Sequence, residues 1–165
     1  EQLFFLPLLG LSTATVSIVG QNYGANQYQR VLETYKKGIK IGVIILSLLG
    51  LIIFATAEIA MNLFTDNANV KQYGSNYLKI SALMFPAFPF FFIGNATFQG
   101  LKKAIIVMYM AIMRFVLMPL ILISIIFFQI GENYKLIFFS LAAMHWIIGL
   151  SYYYYCNKKY KTILN

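Results

Sequence analysis

Charge is what this chain is short of. Only 11% of its 165 residues are charged and 60% are hydrophobic, where a soluble domain carries about 25% charged residues. Too few polar side chains remain to cover a water-facing surface. Cysteine is nearly absent as well. The one thiol, Cys156, excludes an internal disulfide framework and a multi-cysteine zinc site. The one histidine, His145, has no second His or nearby carboxylate at ligand spacing, so neither metal nor cofactor is expected. Acidic residues are scarce, 5 against 13 Lys and Arg, for a net charge of +8. The basic residues lie between apolar runs and form no patch interleaved with exposed aromatics, so nucleic acid is not an expected partner. No charged segment or A-x-A site accompanies the first apolar run, which argues against a signal peptide. The chain starts at Glu1 and runs straight into apolar sequence, which reads as a cut inside a longer protein.

What is there is long apolar sequence. Five segments stand out, at residues 3–19, 41–63, 77–98, 104–130 and 136–155. Each is near or above the roughly 20 residues that a helix needs to cross a bilayer. The runs are continuous rather than alternating, and too long for barrel strands of about 10 residues. The expected class is an all-α polytopic membrane protein of about five transmembrane helices, with the bilayer as its first partner. Polar breaks separate the spans at residues 21–40, 65–76, 100–103 and 131–135. Thr65-Asp66-Asn67 is placed to cap the helix that follows.

Alternate breaks and the tail carry Arg30, Lys36, Lys37, Lys40, Lys102, Lys103, Lys158, Lys159 and Lys161, while the other two breaks hold only Lys71 and Lys135. An excess of Lys and Arg marks the cytoplasmic side. The reading is therefore a multi-pass protein of the cytoplasmic (inner) membrane with its C-terminus inside. Tyr152–Tyr155 then fall at the inner interface, where amphipathic rings belong. Pro86, Pro89 and Pro119 interrupt the third and fourth spans and should kink or locally unwind them. A doubly broken helix near the midplane also points to a transporter cavity. The wealth of Ile, Asn, Lys and Tyr is the composition of an AT-rich prokaryotic genome.

The first span ends in a sharper signal. It reads Pro7-Leu8-Leu9-Gly10-Leu11-Ser12-Thr13-Ala14, then Val19-Gly20-Gln21-Asn22-Tyr23-Gly24-Ala25, then Arg30. Further on come Phe98-Gln99-Gly100-Leu101, Arg114 five residues before Pro119, and Leu63-Phe64-Thr65-Asp66. In order and spacing these resemble the C-terminal half of the multidrug and toxic compound extrusion (MATE) family. That family has V-G-Q-N-x-G-A closing the second helix of each half, F-Q-G-x-G ending the tenth helix, and R-x-x-x-x-P in the eleventh. The resemblance covers essentially the whole chain. It implies helices 8–12 of a twelve-helix fold, with the N-terminal half and one further helix missing. Lys102 departs from the pattern, standing where the family often has its second Gly. The sodium-coupled branch carries a carboxylate in the tenth helix; nothing between Ile80 and Phe98 is acidic, so the resemblance favours proton over sodium coupling.

Candidate residues follow. Gly20 and Gly24 are spaced for close helix approach, and Gly24 also suits a helix end with positive φ. Gln21, Asn22 and Ala25 complete the motif, with Gln21 and Asn22 expected to bond loop backbone. Gln99 and Gly100 close the tenth-helix motif, with Gln99 read as a bond between helices. Asn95 either bonds a neighbouring helix or faces a cavity. Around the two prolines, Met84, Phe88, Phe92 and Asn95 are spaced to share one cavity face. That surface suits flat lipophilic cations through apolar area and ring quadrupoles. Glu58 and Arg114 are the intramembrane charges. Glu58 either reaches water at the outer interface or works within the membrane; Arg114 either snorkels or pairs with an interior group. His145 is expected to bond a neighbour, and Cys156 is open to acylation at the inner interface.

An enzyme is not expected, since Glu58 and His145 are isolated in sequence from other reactive groups. The resemblance implies a secondary transporter exporting hydrophobic or cationic drugs or toxins by cation-coupled antiport, completed by the N-terminal half of the same chain. Two rivals stand beside it. One is a lipid-linked oligosaccharide flippase of the same superfamily. The other is a non-transporting membrane scaffold or remnant.

Overall fold

The computed structural model describes residues 5–125 and 134–164. The start of the first expected span and the end of the fourth lie outside them. The described residues are almost all helical. The helices are α1 (Leu6–Gly24), α2 (Tyr28–Phe64), α3 (Ala68–Ala82), α4 (Phe88–Gly100), α5 (Ala104–Ile112), α6 (Met118–Ile125) and α7 (Tyr134–Leu164). A 3₁₀ turn, Phe85–Ala87, links α3 to α4, and a π-turn, Met113–Leu117, links α5 to α6.

Four stretches are long and apolar enough to cross a membrane: Tyr28–Phe64, Ala68–Gly100, Ala104–Ser124 and Tyr134–Tyr160. The helix α1 is a 19-residue helix whose polar end lowers its hydropathy, and it packs against α4 and α2. The chain is therefore a multi-pass helical bundle, as its composition requires.

Two of the breaks expected between spans are much shorter than the hydropathy suggested. Only Ala25–Gln27 interrupts the helices between residues 21 and 40, and only Thr65–Asn67 between 65 and 76. The reason lies in spacing. Val31, Tyr35, Gly38, Ile39 and Gly42 recur every three or four residues and are buried, so this charged stretch is an amphipathic helix. With 37 residues α2 is about 55 Å long at 1.5 Å per residue. That exceeds the roughly 30 Å hydrocarbon core, and Arg30, Lys36, Lys37 and Lys40 all fall in its first thirteen residues. The cap at the next break is as expected: the Asn67 side chain accepts from the Asn69 and Val70 amides at 3.0 and 3.3 Å.

The helix α4 is the centre of the bundle. It buries Phe91, Ile93, Gly94, Ala96, Thr97, Phe98 and Gly100 against α1, α2 and α7. Small residues let the backbones close up. A β-carbon on Gly50 of α2 would lie 2.8 Å from the Ala82 carbonyl oxygen, and one on Gly100 would lie 2.7 Å from Val19 Cγ1. This is how membrane helices pack when lipid offers no hydrophobic drive between them.

Pro86 and Pro89 interrupt the α-helix locally, as expected: α3 ends at Ala82, and a turn and the 3₁₀ segment Phe85–Ala87 precede α4. Pro86 and Pro89 sit in the first turns of the 3₁₀ segment and of α4, where a missing N–H costs little. Pro86 has no N–H for the Leu83 carbonyl, and that oxygen instead accepts the Trp146 indole N–H of α7 at 2.9 Å. A neighbouring helix thus satisfies the backbone group that the proline frees.

The tyrosine run of α7 splits between a buried and an exposed face. Tyr152 is 1% exposed and Tyr154 72%, because neighbours on a helix point to different faces. Tyr152 Oη donates to Asn95 Oδ1 at 2.6 Å, and Tyr160 Oη donates to the Gly94 carbonyl at 3.0 Å. Cys156 lies fully buried beside them, which closes it to acylation.

Candidate functional site

The spacing of Arg114 and Pro119 has a structural meaning. A proline removes one donor and its ring crowds the carbonyl four residues back. The chain relieves this by widening the preceding turn: the Met118 amide reaches back five residues to the Met113 carbonyl. Such π-turns inside α-helices are frequent at functional sites. Arg114 sits in this one.

Its guanidinium lies among aromatic rings and pairs with no carboxylate among the described residues. It lies 4.2 Å from the centre of the Phe91 ring, 5.2 Å from Phe88, 5.6 Å from Phe92 and 5.5 Å from Phe115. Ring quadrupoles attract a cation at these distances, by about 0.5–2 kcal/mol each depending on exposure. Phe88, Phe91 and Phe92 share one face of α4 through i, i+3, i+4 spacing. His145 also packs on the Phe88 ring, with ring centres 5.2 Å apart. Its Nδ1 is 2.9 Å from the Leu141 carbonyl oxygen, so Nδ1 donates there and Nε2 is left as the second polar position.

Space surrounds this group. A cavity of about 440 Å³ is lined by Phe91, Met110, Met113, Met118, Ile148, Ser151, Tyr152 and Tyr155. One of about 250 Å³ adjoins it, sharing Met118 and Ile148, and reaches Arg114, Met144 and His145. A mostly apolar hollow with a few convergent polar groups is the usual form of a small-molecule site. The methionines suit it, since unbranched thioethers adapt to varied ligand shapes.

The other candidate residues are distributed as follows. Phe88 and Phe92 face Arg114. Met84 is buried with Ile80 and Ala142. Asn95 spends its oxygen on Tyr152. Gln99 is exposed, and its backbone carbonyl accepts the Lys102 amide at 2.9 Å. Gly20 packs towards Gly100, its β-carbon position 3.8 Å from the Gly100 carbonyl oxygen, so the two glycine motifs meet at the α1–α4 crossing. A β-carbon on Gly24 would meet nothing within 4 Å. The positive φ expected at Gly24 belongs instead to Asn26, at 58°, and the turn is closed by the Gln27 amide on the Asn22 carbonyl at 2.8 Å. The Asn22 side chain bonds the Ile18 carbonyl of its own helix rather than loop backbone, while Gln21 and Ala25 are exposed.

Glu58 is exposed and pairs with Lys79 of α3 at 2.5 Å. The pair borders a polar cleft of about 360 Å³ with Asn62, Lys71, Gln72 and Asn76. Among the described residues no three His, Cys, Asp or Glu side chains come together to hold a metal. Sequence reasoning missed Phe91 and the methionines of the π-turn span. Phe91 was legible, since it lies on the same helical face as Phe88 and Phe92. The methionines gave no signal, because nothing local separates a cavity-lining Met from a lipid-facing one.

Comparison with known proteins places this geometry. The MatE family model matches residues 1–129. A probable multidrug resistance protein NorM from Thermotoga maritima is 25% identical over 138 residues, covering 79% of this chain and 29% of that protein. The fold matches a multidrug resistance MATE family transporter of the MOP superfamily in its inward-facing conformation, with TM-score 0.91, 19% identity, and coverage of 98% of this chain and 38% of the other. It matches an outward-facing structure of such a transporter nearly as well, with TM-score 0.89, 20% identity, and coverage of 98% and 36%. The chain thus spans about a third of the length of the proteins it resembles.

Proposed function

The chain belongs to the MatE family, and on that premise we propose that it forms most of one half of a secondary transporter. The reading has it exporting hydrophobic or cationic compounds across the cytoplasmic membrane by cation-coupled antiport. An N-terminal half completes the molecule, and the C-terminus lies in the cytoplasm with the lysine-rich ends of α2, α5 and α7. The observation that carries this is the Arg114 cavity, an apolar, aromatic and methionine-lined hollow among membrane-spanning helices. Its walls select by area and ring contact, which suits many lipophilic molecules.

The mechanism is alternating access, with two halves rocking about a cavity. The near-equal likeness of this bundle to inward- and outward-facing structures supports a half that moves as one body. A proton is the proposed coupling ion. Arg114 already fills the aromatic cage with a fixed positive charge, and no carboxylate of the described residues stands there to hold sodium, a hard cation that takes oxygen ligands.

The test is dye efflux from inverted membrane vesicles carrying the full gene product. A pH gradient should drive dye movement, a protonophore should abolish it, and a sodium ionophore should leave it unchanged. No movement of any lipophilic dye under either gradient overturns the reading. The flippase rival has one observation in its favour, the fixed cation of Arg114 at membrane depth, and transfer of a labelled lipid-linked sugar in the same vesicles would establish it instead.

A further inference from the structure

Among the described residues, the cavity on the α4–α6–α7 side carries one fixed positive charge and no negative one. Arg114 has up to five N–H donors, yet among the described residues its only partners are π faces. Ring faces stabilise the charge without occupying the N–H edges. A planar, forked donor set of this kind matches a carboxylate in bidentate fashion. The guanidinium lines the cavity of about 250 Å³ together with His145. The His145 ring is steered by its Nδ1 contact with Leu141, which leaves Nε2 for a ligand. The adjoining cavity of about 440 Å³ is apolar and aromatic. A flat ring system in the larger hollow thus places an acidic group at Arg114. The cationic part of a substrate is repelled from Arg114 in a low-dielectric setting, where charges act strongly, and belongs at the aromatic end, in the larger hollow with Phe91, Tyr152 and Tyr155.

We propose that this half of the transporter recognises the carboxylate end of aromatic acids and zwitterions, with Arg114 as the binding residue and Phe91 beneath it. The proposal rests on the transport reading for its biological use, but the site itself is testable by binding alone. Specificity arises because a half-buried donor set matched to a carboxylate is poorly satisfied by an ester.

The experiment uses the purified full gene product in detergent and a matched pair of probes, a rhodamine with a free carboxylate and its methyl ester, read by fluorescence anisotropy. The unaltered protein should bind the free acid at least tenfold more tightly than the ester. Arg114→Gln should remove that preference, weakening the acid about tenfold or more while leaving ester affinity within about twofold. Arg114→Lys, which keeps the charge and loses the fork, should restore part of it. Glu58→Gln, at the exposed α2–α3 pair, is the control and should alter neither probe. Equal loss of both probes in Arg114→Gln would make Arg114 a structural residue and overturn the proposal. Absence of any preference in the unaltered protein would overturn it directly. Efflux in vesicles is scored separately: acid-selective binding without gradient-driven efflux leaves the site standing and removes the transport reading.

Discussion

Replacing Gly100 by alanine tests whether the glycine motifs set the distance between α1 and α4. An added β-carbon would sit 2.7 Å from Val19 Cγ1, 2.8 Å from Val19 Cβ and 2.9 Å from the Val16 carbonyl oxygen. A side-chain tip could turn away, but the other two atoms belong to the α1 helix itself, so the helices must part. Val19 and Gly100 are both buried, and Phe98 beside them is 0% exposed, so parting them opens a gap in the core. Forcing an extra carbon into a packed interior costs about 1–3 kcal/mol, and alanine's better helix propensity returns at most about 1 kcal/mol. The net expectation is a loss of about 1–2 kcal/mol, read as a lower unfolding midpoint in detergent. Gly24→Ala is the internal comparison. It belongs to the same motif, but its β-carbon meets nothing within 4 Å, so it should be neutral or slightly stabilising. Val19→Ala should recover only part of the Gly100→Ala loss, because it removes the Cγ1 contact but leaves the residue 19 β-carbon and the Val16 carbonyl in place. Equal effects of the two glycine substitutions would refute the reasoning, since propensity alone would then explain both.

Two further outcomes follow from single positions. Lys102 holds φ at 59°, where an L-residue is disfavoured by about 1–2 kcal/mol; Lys102→Gly should therefore raise stability by about 0.5–1 kcal/mol after glycine's entropy cost, while Lys103→Gly, at φ −104°, should not. Tyr152→Phe deletes the 2.6 Å bond to Asn95 and leaves that amide oxygen wanting a donor, so thermal unfolding should report a loss of about 1–3 kcal/mol, with Tyr154→Phe, on the exposed face, as the silent control.

How far the sequence could be read depends on which physical signal each feature carries. Spans of twenty apolar residues announce themselves, because hydrophobicity sums over a window. The helix from Tyr28 to Lys40 did not, because its charges mask a buried stripe that only spacing shows. Lys102 explains its own departure from the family pattern. The turn requires a left-handed residue there, glycine meets the requirement freely, and this chain uses lysine at a cost. The partners of Arg114 were legible in part. The face of α4 follows from i, i+3, i+4 arithmetic, but the π-turn that aims Arg114 at that face comes from the proline five residues on. His145 and the methionines come from contacts between α5–α6 and α7, and contacts between elements have no local signature.

The same arrangement ties binding to motion. No residue of Ala104–Ser124 is buried, whereas α4 is buried along most of its length. Within this chain the span from α5 to α6 meets α4 and α7 along one side, and Arg114 is one of the side chains that seat it there, through the rings of Phe88, Phe91 and Phe92. A ligand carboxylate on the free N–H edges adds a charge-assisted bond without drawing the guanidinium off these rings. That bond is a differential affinity, by which a ligand shifts a conformational equilibrium towards the seated span. On this argument the residue that reads the ligand also seats its span more firmly when the ligand is bound. The free-acid rhodamine should then slow backbone amide exchange over residues 104–124 and its methyl ester should not; equal slowing by both probes, or none by either, refutes the argument.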